Sequence, residues 1–335
     1  MSAGETATLV LTGDVMLGRL VNEVLHVEPP TYPWGDLLPF LRNADLTVIN
    51  LECVIARGGR PWPGKVFHFR ADPEVAIPAL QVAGIDAVCL ANNHVMDFHA
   101  EAALEMLEHL QRAGIAYAGF GPDLAAASRP ALLRAGRLTI GLVAFTDNEP
   151  EWAAGPNRPG VNYIPIIPDE PRRHQVATAI QAARQAGADF VIASFHWGPN
   201  MRLEPSPDFV AFAHMVMDAG ADLFHGHSAH VFQGIEIYHG KPIFYDCGDF
   251  VDDYAVDPVL RNDWALLYQV TVSRQGVEAI TLIPALISRC QVNRAHGRTF
   301  DAIADRLADL SRRFHTVVER RAGVLAIPVR RPAPA

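Results

Sequence analysis

Three histidines crowd the stretch from Asp222 to His230: His225, His227 and His230 follow directly on a short apolar run. Imidazole is a common ligand for transition ions, and Gly226 among them lets backbone and rings crowd around a small object. A solvated loop that happens to carry histidines is the bland alternative. Four further apolar runs stop at a residue type that binds metals or moves protons: Asp14, Glu52, Asn93 with His94, and His196. Each is ordinary taken singly, since an Asp after a strand is commonly a helix cap and an isolated His is commonly packed or solvated. Five such ends in one chain weigh against coincidence.

The set mixes carboxylate, amide oxygen and imidazole with no thiolate close by in sequence, which suits Mn, Fe or Zn better than Ca. One or two such divalent ions are therefore expected. A pair roughly 3.5 to 4 Å apart across a bridging carboxylate could polarise a phosphoryl oxygen and turn water into a nucleophile near neutral pH. Glu52 is the candidate bridge. His94 could protonate the leaving oxygen, and Asp97, three residues on, could orient its ring. Arg19, just beyond Asp14, is a candidate clamp for a phosphate or carboxylate, against the plainer reading of a surface residue opening a helix. Trp62 and Trp197 read as packing before they read as stacking surfaces for a substrate ring.

The elements that must position these residues alternate along the chain. Residues 7–12 and 45–49 read as buried strands ending at Gly13-Asp14 and at Asn50-Leu51-Glu52. Between them Pro29, Pro30, Pro33 and Gly35 mark a loop before a short helical piece near 36–42, and residues 57–64 form a second loop that could cover a site. A helix is expected from Asp72-Pro73 to Gly84, then a strand over 85–91 ending at Asn92-Asn93-His94, then a helix over about 98–113 stopped by Gly114. Strands over 115–119 and 138–145 precede a proline-rich loop, 146–168, a candidate substrate wall. A helix over 169–186, a strand over 189–195 ending at His196, and a helix over 208–219 lead to the strand at 222–224 that delivers the histidines. Strand pairs at 235–238 with 243–245 and at 264–272 with 277–283 follow, and one C-terminal helix is expected over about 300–321. Such alternation favours an α/β fold with covered sheets, and in open sheets of this kind ligands gather beyond the carboxyl ends of strands. The five strand ends could therefore converge. No internal repeat and no domain boundary stands out, so one domain is expected over residues 1–325 with a frayed tail over 326–335.

Composition narrows the class. Of 335 residues half are hydrophobic and 19% charged, enough apolar surface for an ordered core. A formal charge of -9 with no basic stripe argues against a nucleic-acid partner. The four cysteines, Cys53, Cys89, Cys247 and Cys290, are widely spaced and read as buried free thiols. Residues 1–8 lack the basic start and apolar stretch of a secretory signal, and no apolar run approaches the roughly 18 to 20 residues that span a bilayer. A cytoplasmic protein without a membrane partner is the expectation, with an anionic small-molecule or oligomeric substrate and a homodimer as the oligomer to look for.

Gly13-Asp14-Val15-Met16-Leu17-Gly18-Arg19, Asn50-Leu51-Glu52, Asn92-Asn93-His94 with Asp97, His196-Trp197-Gly198 and Gly226-His227-Ser228-Ala229-His230-Val231 follow one another in an order that resembles the CapA, or poly-γ-glutamate capsule biosynthesis, family, a branch of the calcineurin-like metallophosphoesterases. The resemblance runs over about residues 7 to 255. It implies a four-layer αββα sandwich of two mixed sheets, with Asp14, Glu52, Asn93, His196, His227 and His230 as metal ligands and His94 as the general acid. This sequence departs from the pattern in places. Met16 stands where the wider superfamily has a histidine, and Ser228-Ala229 replace the middle pair of Gly-His-His-Pro-His, with His225 just upstream as a possible substitute ligand. Many relatives continue with Leu-Gly-Asn-Phe, where this chain has Cys247-Gly248-Asp249-Phe250 beside Asp246, Asp252 and Asp253. Asp249 could be an added ligand or a contact for a substrate amine, but an exposed acidic turn is the expected reading. Three functions follow: a metal-dependent phosphoester hydrolase first, a γ-glutamyl amide hydrolase second, and a non-catalytic partner of polymer synthesis third.

Overall fold

A computed structural model describes residues 6–329. Two mixed sheets face one another, and side-chain alternation explains the layers. Along Thr6–Val15, Leu9 and Leu11 point into one core and Val10 into another. Along Phe190–His196, Phe190 and Ile192 join Leu9 and Leu11, whereas Val191, Ala193 and Phe195 pack on the opposite side. A strand's period of two thus splits each sheet between two cores. The middle core lies between the sheets. One outer core packs the larger sheet against helices Pro73–Ala83 and His99–Ala113, and the other packs the smaller sheet against helices Glu170–Gln185 and Pro207–Asp218. The result is the four-layer αββα sandwich.

In the larger, ten-stranded sheet the strands Thr6–Val15, Leu46–Leu51, Ala87–Cys89 and Ala116–Ala118 run parallel, while Trp264–Ser273 and Gly276–Ser288 extend it antiparallel. In the six-stranded sheet Leu138–Thr146, Phe190–His196, Leu223–His227 and Lys241–Phe244 are parallel, with antiparallel edges at Ala131–Ala135 and Ile235–Tyr238. The helices begin and end where their sequence signals stand: Asp72 precedes Pro73–Ala83 and Gly84 closes it in the left-handed conformation, and Gly114 closes His99–Ala113 the same way. All four cysteines are free and buried. Among the described residues no helix is long and apolar enough to cross a membrane.

Two expectations change. The C-terminal helix ends at Arg312, not near 321: His315 adopts positive φ, and Glu319–Arg321 and Val324–Ile327 form a hairpin that joins the ten-stranded sheet. Ala326 and Ile327 therefore sit in a strand, and residues 330–335 lie outside the described residues. The helix Gly297–Arg312 also does not build an outer layer. Its Ile303, Ala304 and Leu307 enter the core between the two sheets and close one end of it.

Candidate metal centre

Three strand ends of the larger sheet meet two of the smaller. Asp14, Glu52 and the segment Asn92–Asp97 come from the larger sheet; His196, His227 and His230 come from the smaller. Register makes His196 and His227 direct neighbours across one pair of parallel strands, with Ser194 and His225 paired two residues earlier. By alternation all four share the face of Phe190, Ile192 and Leu223, which looks into the gap between sheets. Asp14 needs a further device. Val10 and Val15 both face the outer core although five residues apart, because the register shifts between Leu11 and Asp14. That irregularity turns Asp14 from the helix side to the gap. Gly13 sits in it, and a Cβ there would overlap the carbonyl oxygen of Gly248 at 1.7 Å. Gly226 is required in the same way, packed on the carbonyl of Tyr245.

Two groups of ligand atoms result, each with its members within 4.8 Å of one another: Asp14, His196 and His227, and Asp14, Glu52, His230 and Asp249. Asp14 belongs to both, whereas Glu52, the expected bridge, belongs to one. In the first group Nδ1 of His196 and Nδ1 of His227 face each other at 3.0 Å, and Asp14 Oδ1 lies 3.8 and 3.7 Å from them. Asn50 Nδ2 donates to that oxygen at 2.7 Å, and Asn92 holds Asn50 in turn at 3.0 Å. Burial lowers both imidazoles well below the usual histidine range, so both rings are neutral. His196 Nε2 lies 2.9 Å from Asn93 Oδ1, an acceptor, which places the ring proton on Nε2 and the lone pair on Nδ1.

The tautomer of His227 follows from a chain of bonds. His225 Nε2 lies 2.8 Å from the Thr12 carbonyl, which can only accept, and burial pulls the His225 pKa down to about 4. Its Nδ1 is therefore an acceptor for the Ser194 hydroxyl at 3.0 Å; Ser194 Oγ in turn accepts from His227 Nε2 at 2.9 Å. His227 Nδ1 is left with its lone pair. Two lone pairs and a carboxylate oxygen thus converge with no ring proton between them; Asn50 Nδ2, which donates to Asp14 Oδ1, also lies 3.3 Å from His196 Nδ1, and the set of acceptors is a fit to a cation.

The second group is rich in carboxylates. Asp14 Oδ2, Glu52 Oε1 and Asp249 Oδ2 are buried without a hydrogen-bond partner. Burial, with neighbouring carboxylates adding to it, raises all three acids well above the usual range. His230 goes the other way: burial opposes its charge, but Glu52, Asp14, Asp246 and Asp252 outweigh it and raise its pKa. His230 Nδ1 lies 2.8 Å from Asp249 Oδ1 and 3.6 Å from Asp14 Oδ2. Ser228 and His230 both take positive φ, the turn that throws His230 back over the site. Orphaned oxygens around one point also fit a cation, and the donor set of both groups, nitrogen and oxygen only, fits a borderline transition ion.

Beside the groups, His94 Nδ1 meets Asp97 Oδ2 at 2.6 Å and its Nε2 lies 3.9 Å from Glu52 Oε1. Phe69 stacks on the ring at 3.9 Å. Burial lowers the His94 pKa to about 4 although Asp97 pulls upward. Arg19 stands on the rim: its guanidinium pairs with Asp253 at 3.3 Å, lies 5.7 Å from the Phe67 and Phe69 rings, and its residue has positive φ.

The structure corrects the exposed acidic turn. Asp249 is fully buried in the strand Asp249–Val251, which pairs with the first strand so that Asp249 lies opposite Asp14. His225 is not in either group; it sits beneath His227, with both nitrogens engaged by the protein. Met16 is buried in the outer core and accepts from Gly18 N. Trp197 is core, donating to Tyr245 O among Phe209, Phe212 and Phe224. Sequence reasoning passed over Ser194, Lys65 and Tyr254. Ser194 had a signal, at even spacing before His196 on a buried strand; Tyr254, whose hydroxyl is 3.3 Å from Glu52 Oε2, and Lys65 had none.

The profile of the family described as bacterial capsule synthesis protein PGA_cap matches residues 8–254, the span that contains every member of both ligand groups. The chain belongs to this capsule synthesis family. It is similar to three relatives. A probable polyglutamine synthesis accessory protein of Mycobacterium tuberculosis is 35% identical over 92% of both chains. The capsule biosynthesis protein CapA of Bacillus anthracis is 29% identical over 84% of this chain and 67% of its own. The PGA biosynthesis protein CapA of Bacillus subtilis matches at 28% over 72% of this chain. The family model thus spans the whole stretch from which the candidate centre is built.

Proposed function

We propose that the protein is a metal-dependent hydrolase acting on phosphoesters. The observation that carries this is the meeting of two ligand groups at Asp14 with the His94 ring on their edge. Asp14, His196 and His227 would hold one ion, with Asn93 beside His196; Asp14, Glu52, His230 and Asp249 would hold the other. When bound, such Mn, Fe or Zn ions supply Lewis acidity toward a phosphoryl oxygen and lower the pKa of water. The chain's own residues do the rest. Asp97 accepts a hydrogen bond from His94 Nδ1–H and so turns the other nitrogen, Nε2, toward the site. An arriving anion raises the proton affinity of that nitrogen, which then holds the proton the leaving oxygen takes. Burial around the centre excludes water, and Arg19 on the rim offers a guanidinium to a second anionic group of the substrate.

A second reading keeps the site and changes the bond. Relatives are named for polyglutamine or capsule synthesis, and a Lewis acid activates a γ-glutamyl carbonyl as readily as a phosphoryl group. The test is metal analysis followed by assay of the reconstituted protein on phosphomonoesters, phosphodiesters and γ-glutamyl peptides. One to two transition ions per chain and ester turnover are expected. Turnover of peptides alone replaces the first reading with the second, and a metal-bound protein inert to all of them removes both in favour of an accessory role.

A further inference from the structure

The loop between Ile55 and Arg70 inverts the usual order of burial. Its apolar Val66 and Phe67 are 84% and 57% exposed, whereas the side chain of Lys65 between them and Gly64 is only 14% exposed. Lysine is seldom buried without a partner, because its charge loses hydration. The partners of Lys65 come from the Asn92–Asp97 segment of the centre and from the stretch 149–152. The ammonium pairs with Asp97 Oδ1 at 2.7 Å, donates to the backbone carbonyl of Asn93, approaches Glu149 Oε1 at 3.7 Å, and lies 4.6 Å over the Trp152 ring. The other oxygen of Asp97 is the one that holds His94 and also accepts from Phe69 N at 2.7 Å.

We propose that Lys65 is a positioning residue that acts through Asp97: it binds the free oxygen of that carboxylate, so that the other stays turned to Nδ1 of His94 and the His94 ring keeps its Nε2 edge to the metal groups. The same ammonium ties the 57–68 loop to Glu149 and Trp152. The inference rests on the hydrolase reading only for its effect on rate. A carboxylate hydrogen-bonded to an imidazole Nδ1 is held by its surroundings, and here the remaining oxygen has no other ligand at comparable distance.

The experiment compares Lys65→Met, Lys65→Gln and Lys65→Arg in the metal-loaded protein. Proton NMR of the ring N–H groups is the readout that needs no substrate: the downfield His94 Nδ1 proton, assigned by its absence in His94→Gln, should move or vanish in Lys65→Met or Lys65→Gln and return in Lys65→Arg. On any substrate the protein turns over, kcat should fall by roughly 10- to 100-fold at unchanged metal content and KM, and the loss should not add to that of Asp97→Asn. An unmoved His94 proton in either folded neutral variant overturns the proposal, as does a loss that multiplies with that of Asp97→Asn. Failure of the wild type on every ester and peptide sinks the hydrolase reading, while the NMR outcome still decides the role of Lys65.

Discussion

The two ligand groups share Asp14 and differ in almost everything else. The inner one presents neutral imidazoles whose lone pairs are set by the Asn93 carboxamide and by the Thr12, His225, Ser194 chain. Neither imidazole there has to lose a proton before an ion enters. The outer one is a gathering of acids with three orphaned oxygens, balanced by a His230 whose pKa those acids raise. There the carboxylates favour the charged form of the imidazole, which takes part of the place of a cation. One group is organised by hydrogen-bond donors and acceptors, the other by charge, and they should respond to different perturbations.

Asp14→Asn strikes both. It should lose both ions in elemental analysis and cut turnover by at least roughly 10³-fold, the scale of several kcal/mol of lost charge stabilisation; retention of two ions would refute the shared role. Replacing Ser194 by Ala should break the comparison in half: affinity of one ion falls by roughly 10- to 100-fold as His227 loses its tautomer, with the other unchanged. Glu52→Gln should do the converse. The wild-type outer affinity should also weaken as pH falls, since His230 must give up its proton to ligate, and competition against a fluorescent chelator across pH reads both effects.

The smallest effects are on the metal-free fold. His225 sits at about 4 when folded against an ordinary 6.5, so it contributes stability above pH 6.5 that is lost as pH falls toward 4. His225→Gln should therefore gain on wild type as pH falls through that window. Asp252, beside the outer group, is pushed by burial from 3.8 to about 6, so its contribution is lost as pH rises between those values. Asp252→Asn should gain on wild type as pH rises there. Denaturant midpoints measured from pH 4 to 7 check both signs, and parallel pH profiles for the two variants would erase the distinction between the regions.

Much of the frame is legible in the residues alone. Apolar runs that stop at Asp14, Glu52, Asn93, His196 and His227 mark strands whose carboxyl ends share one edge, and Gly84 and Gly114 mark helix ends, because those signals are local: periodicity, caps and left-handed glycines. The C-terminal helix reads longer in the sequence than it is, because its apolar spacing runs on past Arg312, and only pairing with Gly276–Ser288 turns the final stretch into strands.

What the sequence by itself determined is the inventory: which residue types stand at which strand ends, that they are nitrogen and oxygen ligands without thiolates, and that the elements between them alternate. Tertiary structure alone decided their grouping. The register shift near Gly13 turns Asp14 into the gap, the pairing of Asp249 with Asp14 buries a residue that reads as an exposed turn, and the Thr12 carbonyl, more than two hundred residues from His225 in the chain, makes that histidine a support for His227. A one-residue shift reverses every side chain that follows, and a hydrogen bond between distant segments leaves no mark in the spacing of either.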